Sequence, residues 1–344
     1  MRLFLLSSVL ILGSCMSSTV FKATKSADLD IPNEINSFSL IKRDKVGEVF
    51  TFFALLDWIR LNKSPNINDY ALDRLNRGLT SQFNRWPRFT VKQTQFDEGS
   101  YGYGWLKMKK PLDWHIVEEI CEKNKSNALI VIEGFNSSTS RKVIARSNSE
   151  DEGDGKPIDG VFDSDLSITV TVDWRIYYPV ERKIIDFYIG QKNSSFKSEG
   201  STARRARRNL PEVDPIIEEM AYELGMQFGG RLFPSKVTLK RTYYSFGSSE
   251  LKLASENMKK QEYEKAIKNL LASFNLSYNQ TLHGKLAYNL AVAHEAMGDF
   301  EKAIYWVNRA IENRNKKADK YLRLLQNSVK DNNKAKKQMG YKSN

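Results

Sequence analysis

The pattern of apolar residues changes at about residue 248, and this change limits the possible fold more than any other feature of the chain. Before that point, alternating or continuous apolar runs typical of strands are interspersed with apolar residues at helical spacing. After it, only the helical spacing remains. With 344 residues, of which 41% are hydrophobic, the chain can build more than one core. We therefore expect an α+β region, an α/β sandwich of helices on a mixed or mostly antiparallel sheet, followed by an all-α region.

Strand patterns in the first region predict the sheet. Residues 166–177 alternate, so that every second residue from Ile168 to Ile176 is apolar and faces one way. With residues 183–189 this segment predicts a hairpin, and residues 128–132 form a continuous apolar run expected of a buried central strand. Residues 136–160 are polar and Gly-containing, which predicts an exposed loop.

Helical spacing supplies the other elements of this region. Helices are predicted over residues 51–61 and 70–83, around Cys121, and from Pro215 to the Gly229-Gly230 pair. A final strand over residues 236–244 is expected to close the domain.

The helical region contains an internal repeat. Residues 261–267 align with 298–304 at a spacing of 37, and Ala254 matches Ala291. The pattern resembles the tetratricopeptide repeat, whose period is about 34, with a short insertion in the first copy. Generic helical hairpins remain the alternative. Because such repeats present their first helices along a concave groove, we expect a partner-binding groove, lined by Lys259, Lys285, Tyr288, Val292 and Glu295.

The amino-terminal residues predict a lipid anchor. Arg2 precedes an apolar run of about ten residues, too short to span a bilayer, which is typical of a secretory signal. The run ends in Leu12-Gly13-Ser14-Cys15, which resembles a bacterial lipobox. We expect cleavage before Cys15 and acylation of its thiol, since two or three acyl chains hold a protein stably on a membrane. An ordinary signal peptide with an incidental cysteine is the alternative.

These patterns predict the domain organisation. The expected segments are a signal peptide at 1–14, a lipidated linker at 15–30, an α/β envelope domain at 31–247, two repeats with a capping helix at 248–327, and a basic tail at 328–344.

The net charge of +12 suggests contact with acidic partners. Residues 314–344 carry a net charge of +8, which is most of the excess. A denser cluster precedes the helix at Pro215 and is a candidate for binding an anionic surface; it consists of Arg204, Arg205, Arg207 and Arg208. It has no interleaved aromatic residues, so nucleic acid is not an expected partner. A solvated surface is the alternative for both segments.

No pattern of catalytic residues is present in the sequence. There is no Gly-x-Ser-x-Gly turn, phosphate-binding loop or dinucleotide fingerprint, and the three histidines are scattered. Cys121 lies on the apolar stripe of a predicted helix, which favours a buried structural thiol. We expect a non-enzymatic protein with no catalytic residues, metal, cofactor or small-molecule substrate.

Several blocks together carry a resemblance to a known family. They are Ile31-Pro32, residues 114–135, 172–177, 221–244 and 288–295. On these blocks the chain resembles, nearly end to end, the DUF6340 family of Bacteroidota lipoproteins with C-terminal tetratricopeptide repeats. The resemblance implies architecture and location, and it supplies no catalytic residues because the family has no established activity.

These observations lead to one functional hypothesis and one alternative. We expect a non-enzymatic lipoprotein of the outer membrane that presents its repeats to another envelope protein. Met16-Ser17-Ser18 follows Cys15 in place of the acidic stretch of surface-exported lipoproteins, which favours the periplasmic face. The alternative is a module that binds peptidoglycan or lipopolysaccharide through basic patches.

Overall fold

The computed structural model describes residues 16–43, 63–64, 66–86, 88–94, 110–147 and 157–340. Cys15 and the predicted helix at 51–61 lie outside these residues. The chain forms two compact units, Ala27–Phe233 and a second unit made of Met1–Ser26 with Pro234–Asn344. We call them the mixed unit and the helical unit.

The described elements are seven strands and nine helices. The strands are β1 (Met16–Lys25), β2 (Ser37–Lys42), β3 (Thr90–Gln93), β4 (Ala128–Ser147), β5 (Pro157–Tyr178), β6 (Lys183–Gly200) and β7 (Ser235–Tyr244). The helices are α1 (Ile67–Arg85), α2 (Trp114–Asn124), α3 (Ala203–Arg208), α4 (Val213–Gly230), α5 (Ser249–Lys259), α6 (Tyr263–Leu276), α7 (Gln280–Ala296), α8 (Phe300–Glu312) and α9 (Ala318–Gln338). The predicted order of an α+β region followed by an all-helical region is confirmed.

The mixed unit contains a five-stranded sheet in the order β3-β2-β4-β5-β6. Strand β2 lies parallel to both β3 and β4, whereas β4, β5 and β6 pair antiparallel. The predicted central strand, residues 128–132, is the start of β4 and is buried. The sheet is therefore mixed, as expected.

Helices cover both faces of this sheet. On one face, α1 and α4 bury their apolar stripes against the alternating side chains of β5, where Trp174 stacks on Phe228 at 4.2 Å. On the other face, α2 packs Val117 and Cys121 against Leu129, Val131 and Tyr177. Cys121 is the predicted buried thiol, and burial raises its pKa. Because both faces of β4 are covered, its apolar run is continuous rather than alternating.

Two glycines let α1 and α4 touch. A Cβ on Gly78 would lie 2.0 Å from the carbonyl oxygen of Tyr222, and a Cβ on Gly225 would lie 2.0 Å from that of Leu75. Neither position tolerates a side chain without moving a helix. The close contact aligns both helices over the sheet.

The sheet extends further than the sequence indicates. Residues 136–147, expected in an exposed loop, continue β4 and pair with β5. Their polar composition suggested a loop, but β5 supplies backbone partners along this stretch with one register shift between Ala145 and Ser147. This tertiary context outweighs a weak strand propensity. The predicted strand at 183–189 likewise continues to Gly200.

The helical unit combines helices α5 to α9 with a two-stranded antiparallel sheet of β1 and β7. Its core contains the small residues of the sequence repeat, Ala254, Ala266, Ala291 and Ala303, all fully buried. Small side chains allow adjacent helices to approach closely.

The boundaries of this unit differ from the sequence-based ones. Residues 16–25, expected in a lipidated linker, form β1 and pair along their whole length with β7. Strand β7, expected to close the domain at 31–247, therefore belongs with the helices. The capping helix and the start of the basic tail are one helix, α9.

Candidate functional site

The predicted arginine cluster lies on α3, a short helix fastened to β6. Thr202 accepts a hydrogen bond from the backbone N–H of Arg205 and so caps the helix. Ser198 Oγ donates to the carbonyl of Ala206 at 2.5 Å, and Ala206 is fully buried. A Cβ on Gly200 would lie 2.3 Å from the nitrogen of Ala206, so only glycine permits this approach. These contacts hold α3 in place although it has fewer than two turns.

The four guanidinium groups of α3 point away from the buried Ala206. Arg204, Arg205, Arg207 and Arg208 are all exposed, and we call them the arginine patch. Arg205 donates to Ser201 Oγ at 2.9 Å. Within the described part of the chain, none of the four forms an ion pair. The patch is therefore an unneutralised cluster of four cations.

Nearby charges do not neutralise this patch. Burial lowers the pKa of Arg141 on β4, and the positive charge of Arg207 lowers it further. The carboxylates of Asp163 and Glu199 are both bound by Arg146, at 2.6 and 2.7 Å. A planar guanidinium binds phosphate or carboxylate with two parallel hydrogen bonds. The chemistry of the patch thus suits polyanions.

Most of the predicted groove residues are not on an open surface. Tyr288, Val292 and Glu295 on α7 are only 4%, 0% and 2% exposed, and they lie in the core of the helical unit. Lys285 is half-buried and Lys259 is exposed. Three of the five residues that were predicted to line a partner-binding groove are therefore buried within the chain itself. The face of α7 that was expected to contact a partner is covered by β7 and α9 of the same chain.

Glu295 is instead the centre of a buried polar network. Each carboxylate oxygen accepts two hydrogen bonds: Arg241 on β7 binds both oxygens at 2.7 and 2.8 Å, Tyr321 donates to one at 2.8 Å, and Ser328 donates to the other at 2.9 Å. Burial and the negative charge of Glu295 raise the pKa of Tyr321 well above its usual value. The phenol therefore stays protonated and donates. The network joins α7, α9 and β7.

Asn289 makes a second link between α7 and β7. Its amide oxygen accepts from the backbone N–H of Tyr244 at 2.8 Å, and its amide nitrogen donates to the carbonyl of Tyr244 at 2.7 Å. The side chain is fully buried. It pairs with β7 as a neighbouring strand would, so the end of the strand is bound to the helix.

His294 on α7 is buried, and its Nδ1 lies 3.6 Å from Asp299. Burial lowers its pKa, which favours the neutral ring. Its position is that of a packed core histidine.

The mixed unit contains a buried charged cluster that sequence reasoning missed. Glu133 accepts from Arg43 at 2.7 Å, and from Arg175 and the Tyr177 hydroxyl at 2.9 Å each. The Tyr177 oxygen also accepts from the backbone N–H of Leu112 at 2.9 Å. One carboxylate oxygen thus accepts two hydrogen bonds and the other accepts one, all from side chains of the same unit. The signal available in the sequence was Arg175, a charge within an apolar strand.

A shallow depression lies between α2 and the β5–β6 turn. Glu118, Cys121 and Arg182 line it, and Arg182 Nε donates to Glu118 at 2.9 Å. The described residues contain no group of three or more His, Cys, Asp or Glu that could hold a metal ion. Of helices α1 to α9, none combines the length and apolar character needed to cross a bilayer.

The fold defines a class, a mixed α+β region followed by an all-helical region, and comparison with known families places the chain within it. A family model described as a domain of unknown function, DUF8603, matches residues 59–244, more than half of the chain. The chain belongs to this family. A second model, the domain of unknown function DUF6340, matches residues 252–343. The predicted resemblance to DUF6340 is confirmed there, whereas the blocks at 114–135, 172–177 and 221–244 fall within the DUF8603 match.

Other comparisons add little. No curated protein matches the sequence. Among solved structures, a PelC dodecamer from Paraburkholderia phytofirmans is similar at 8% identity, covering 62% of this chain and 97% of that one, with a TM-score of 0.26. A dodecamer of a PelC variant from the same organism matches at 7% identity, covering 62% and 99%, with a TM-score of 0.25. Both TM-scores are below 0.5, so neither match identifies a shared fold.

Proposed function

We propose that this chain is a non-enzymatic, lipid-anchored protein of the cell envelope that binds an anionic envelope polymer, peptidoglycan or lipopolysaccharide, through the arginine patch. One observation carries the proposal: four exposed arginines sit on a helix that Ala206 and Thr202 hold in place, without an ion pair among the described residues. An unneutralised cation cluster is costly in self-repulsion, and a multivalent anion relieves it.

The anchor is part of the proposal. Acylation of Cys15 would join the lipid directly to β1, since β1 begins at Met16. The lipobox-like residues before Cys15 support this modification, and the residues after it favour the outer membrane with the protein facing the periplasm.

Docking of another envelope protein on tetratricopeptide-like repeats is the competing hypothesis. Burial of Tyr288, Val292 and Glu295 removes three of its five proposed contacts from the surface. We therefore place polymer binding first and keep protein docking as an outcome of the test.

Co-sedimentation with purified peptidoglycan sacculi and binding to lipopolysaccharide micelles test the arginine patch. A variant with Arg204, Arg205, Arg207 and Arg208 changed to Ala should bind at least about tenfold more weakly, and wild-type binding should weaken with added salt. The matched control removes four exposed cations from α9, namely Arg323, Lys330, Lys336 and Lys337. It has the same net charge as the patch variant and should bind like wild type.

Equal losses in both variants would mean that only net charge matters and would refute a specific site. Retained polymer binding by the patch variant would refute the proposal. If both variants instead recover a single stoichiometric protein from solubilised membranes, docking of that protein would be favoured over polymer binding. The anchor is tested separately by labelling cells with an alkyne fatty acid, where a Cys15→Ser strain should lose the label.

A further inference from the structure

We infer that one end of the helical unit, the end at which β1 begins, rests on the surface of a phospholipid bilayer; this rests on the proposed acylation of Cys15. We call it the anchor end and define it by residues 245–248, 276–279 and 313–317 together with Met16. It combines the attachment point of the proposed lipid with exposed apolar side chains and a surplus of cations.

Contacts within the helical unit bring these segments to the same end. Met16 pairs with Tyr244, the last residue of β7, and its sulfur is in contact with Lys317. The hydroxyl of Tyr244 donates to Asn315 at 3.2 Å, and Asn315 donates to the carbonyl of Gly284 near the start of α7 at 2.9 Å. The turn at 277–279 immediately precedes α7, and the ring of His283 contacts its Ser277 carbonyl.

Three of the large exposed apolar side chains of the helical unit lie on these segments. Phe246 is 68% exposed, Leu276, the last residue of α6, is 80% exposed, and Tyr278 is 100% exposed. The loops at the opposite end, residues 260–262 and 297–299, are fully described and expose Met297 as their large apolar side chain, at 46%. Isolated exposed apolar residues are ordinary, but three on neighbouring turns mark an interaction surface.

The charges on the same end favour a membrane. Arg314, Lys316 and Lys317 are exposed on the turn before α9, and Lys285 lies between this turn and Gly247. The ammonium groups of Lys285 and Lys317 lie 5.6 and 5.8 Å from the Tyr244 ring centre. The carboxylates nearby in sequence are Glu250, Glu312 and Asp319, and Glu312 is paired with Arg309 at 2.7 Å, which leaves cations in excess. Aromatic and leucine side chains flanked by Lys and Arg are the composition that binds the interface of anionic bilayers.

Strand β1 limits how far the proposed lipid can lie from the anchor end. Ten residues from Met16 onward pair with β7, so no flexible segment separates the proposed lipid from the folded unit. Acyl chains on Cys15 would therefore hold the anchor end within reach of the headgroups. A flat contact of three apolar side chains then needs little additional ordering.

Flotation with vesicles tests the surface without the lipid anchor. The mature chain from residue 15 onward, carrying Cys15→Ser, should float with vesicles of phosphatidylethanolamine and phosphatidylglycerol and should not float with phosphatidylcholine. Changing Phe246, Leu276 and Tyr278 to Ser should weaken flotation at least about tenfold. Met297→Ser, an exposed apolar residue at the opposite end, is the matched control and should change nothing.

Spin-label accessibility in the acylated protein gives a second, independent readout. A nitroxide attached after Tyr278→Cys should be protected from a water-soluble nickel chelate in vesicles, whereas one attached after Met297→Cys should be fully accessible. Equal accessibility of both labels in fatty-acid-labelled protein would overturn this inference and leave the anchor intact. Absence of acylation with retained flotation would refute the anchor and leave the surface intact. Flotation that is equal for wild type and the triple Ser variant would also overturn the inference.

Discussion

At the scale of single residues, the helical unit contains a buried ion pair between Arg241 on β7 and Glu295 on α7. Arg241 binds both oxygens of Glu295, and the two side chains are 11% and 1% exposed. A buried ion pair of this kind contributes little net stability, because desolvation of both groups offsets their attraction. Replacing only one of the two side chains lowers the free energy of unfolding strongly, since the charge of the other stays buried without a partner. The pair therefore acts mainly in specifying how β7 meets α7.

Glu295→Ala should destabilise the helical unit by about 3–5 kcal/mol, because the Arg241 guanidinium, the Tyr321 hydroxyl and Ser328 lose their shared acceptor. Chemical denaturation followed by circular dichroism measures the change. Glu301→Ala on the exposed face of α8 is the control and should change stability by less than about 0.5 kcal/mol. The double variant Arg241→Met with Glu295→Leu should recover most of the loss. A loss below about 1 kcal/mol in Glu295→Ala would show that the network is not stabilising as a unit.

The buried cluster around Glu133 follows the same rule in the mixed unit. Its carboxylate is enclosed by Arg43, Arg175 and Tyr177, so it links β4 to β5 and to the residue that follows β2. A charge that is buried with its partners is hard to recognise in a sequence, because the sequence does not show which distant residues contact it. Glu133, which is 42 positions from Arg175, offered no such clue.

At the scale of elements, β7 is held by α7 as well as by β1. The amide of Asn289 satisfies both backbone groups of Tyr244, which would otherwise have no strand partner at that edge. A helix side chain thus completes the hydrogen bonding of a two-stranded sheet. Two strands alone are marginally stable in water, so attachment to the helices is what makes this sheet persist.

Asn289→Leu should cost about 2–4 kcal/mol, because a leucine of similar size leaves the N–H and C=O of Tyr244 buried without partners. Hydrogen exchange of the Tyr244 amide should accelerate together with that of neighbouring β7 amides, as measured by mass spectrometry. Asn308→Leu on the exposed face of α8 provides the matched control. If Tyr244 exchange stays slow in Asn289→Leu, the amide is not what holds the strand.

At the scale of the whole molecule, the two units differ in whether they are built from one continuous segment of the chain or from two. The mixed unit is one continuous segment with its own core, whereas the helical unit needs a strand from the start of the chain and a strand and five helices from its end. We therefore expect only the mixed unit to fold as an isolated, continuous segment of the chain.

A fragment of residues 27–233 should fold alone, since it contains all strands of its sheet. A fragment of residues 234–344 should not fold cooperatively, because β7 and the face of α7 lose β1. Adding a peptide of residues 16–25 should restore slow-exchanging amides in the second fragment, as observed by two-dimensional NMR. The peptide with Phe21→Asp should fail, because Phe21 is buried against Tyr263 in an edge-to-face contact. Cooperative folding of residues 234–344 without the peptide would contradict this assembly.

The sequence by itself determined whether most elements are helices or strands and which of their sides is buried, because both properties depend on short-range periodicity. The alternation from Ile168 to Ile176, the glycine pair ending α4 and the small residues Ala254 and Ala291 each specify local geometry, and all are found as predicted. The identity of the exposed arginines was likewise visible, since a dense run of charge cannot be buried.

Only the tertiary structure decided which surfaces remain open. Strand pairing joins residues that are far apart in sequence, so nothing local in residues 16–25 revealed that they pair with 235–244. That pairing, together with α9, covers the face of α7 that periodicity alone assigned to a partner. Whether an apolar or charged face meets solvent, a partner or its own chain is set by non-local contacts, and these gain their free energy only when the distant segments meet.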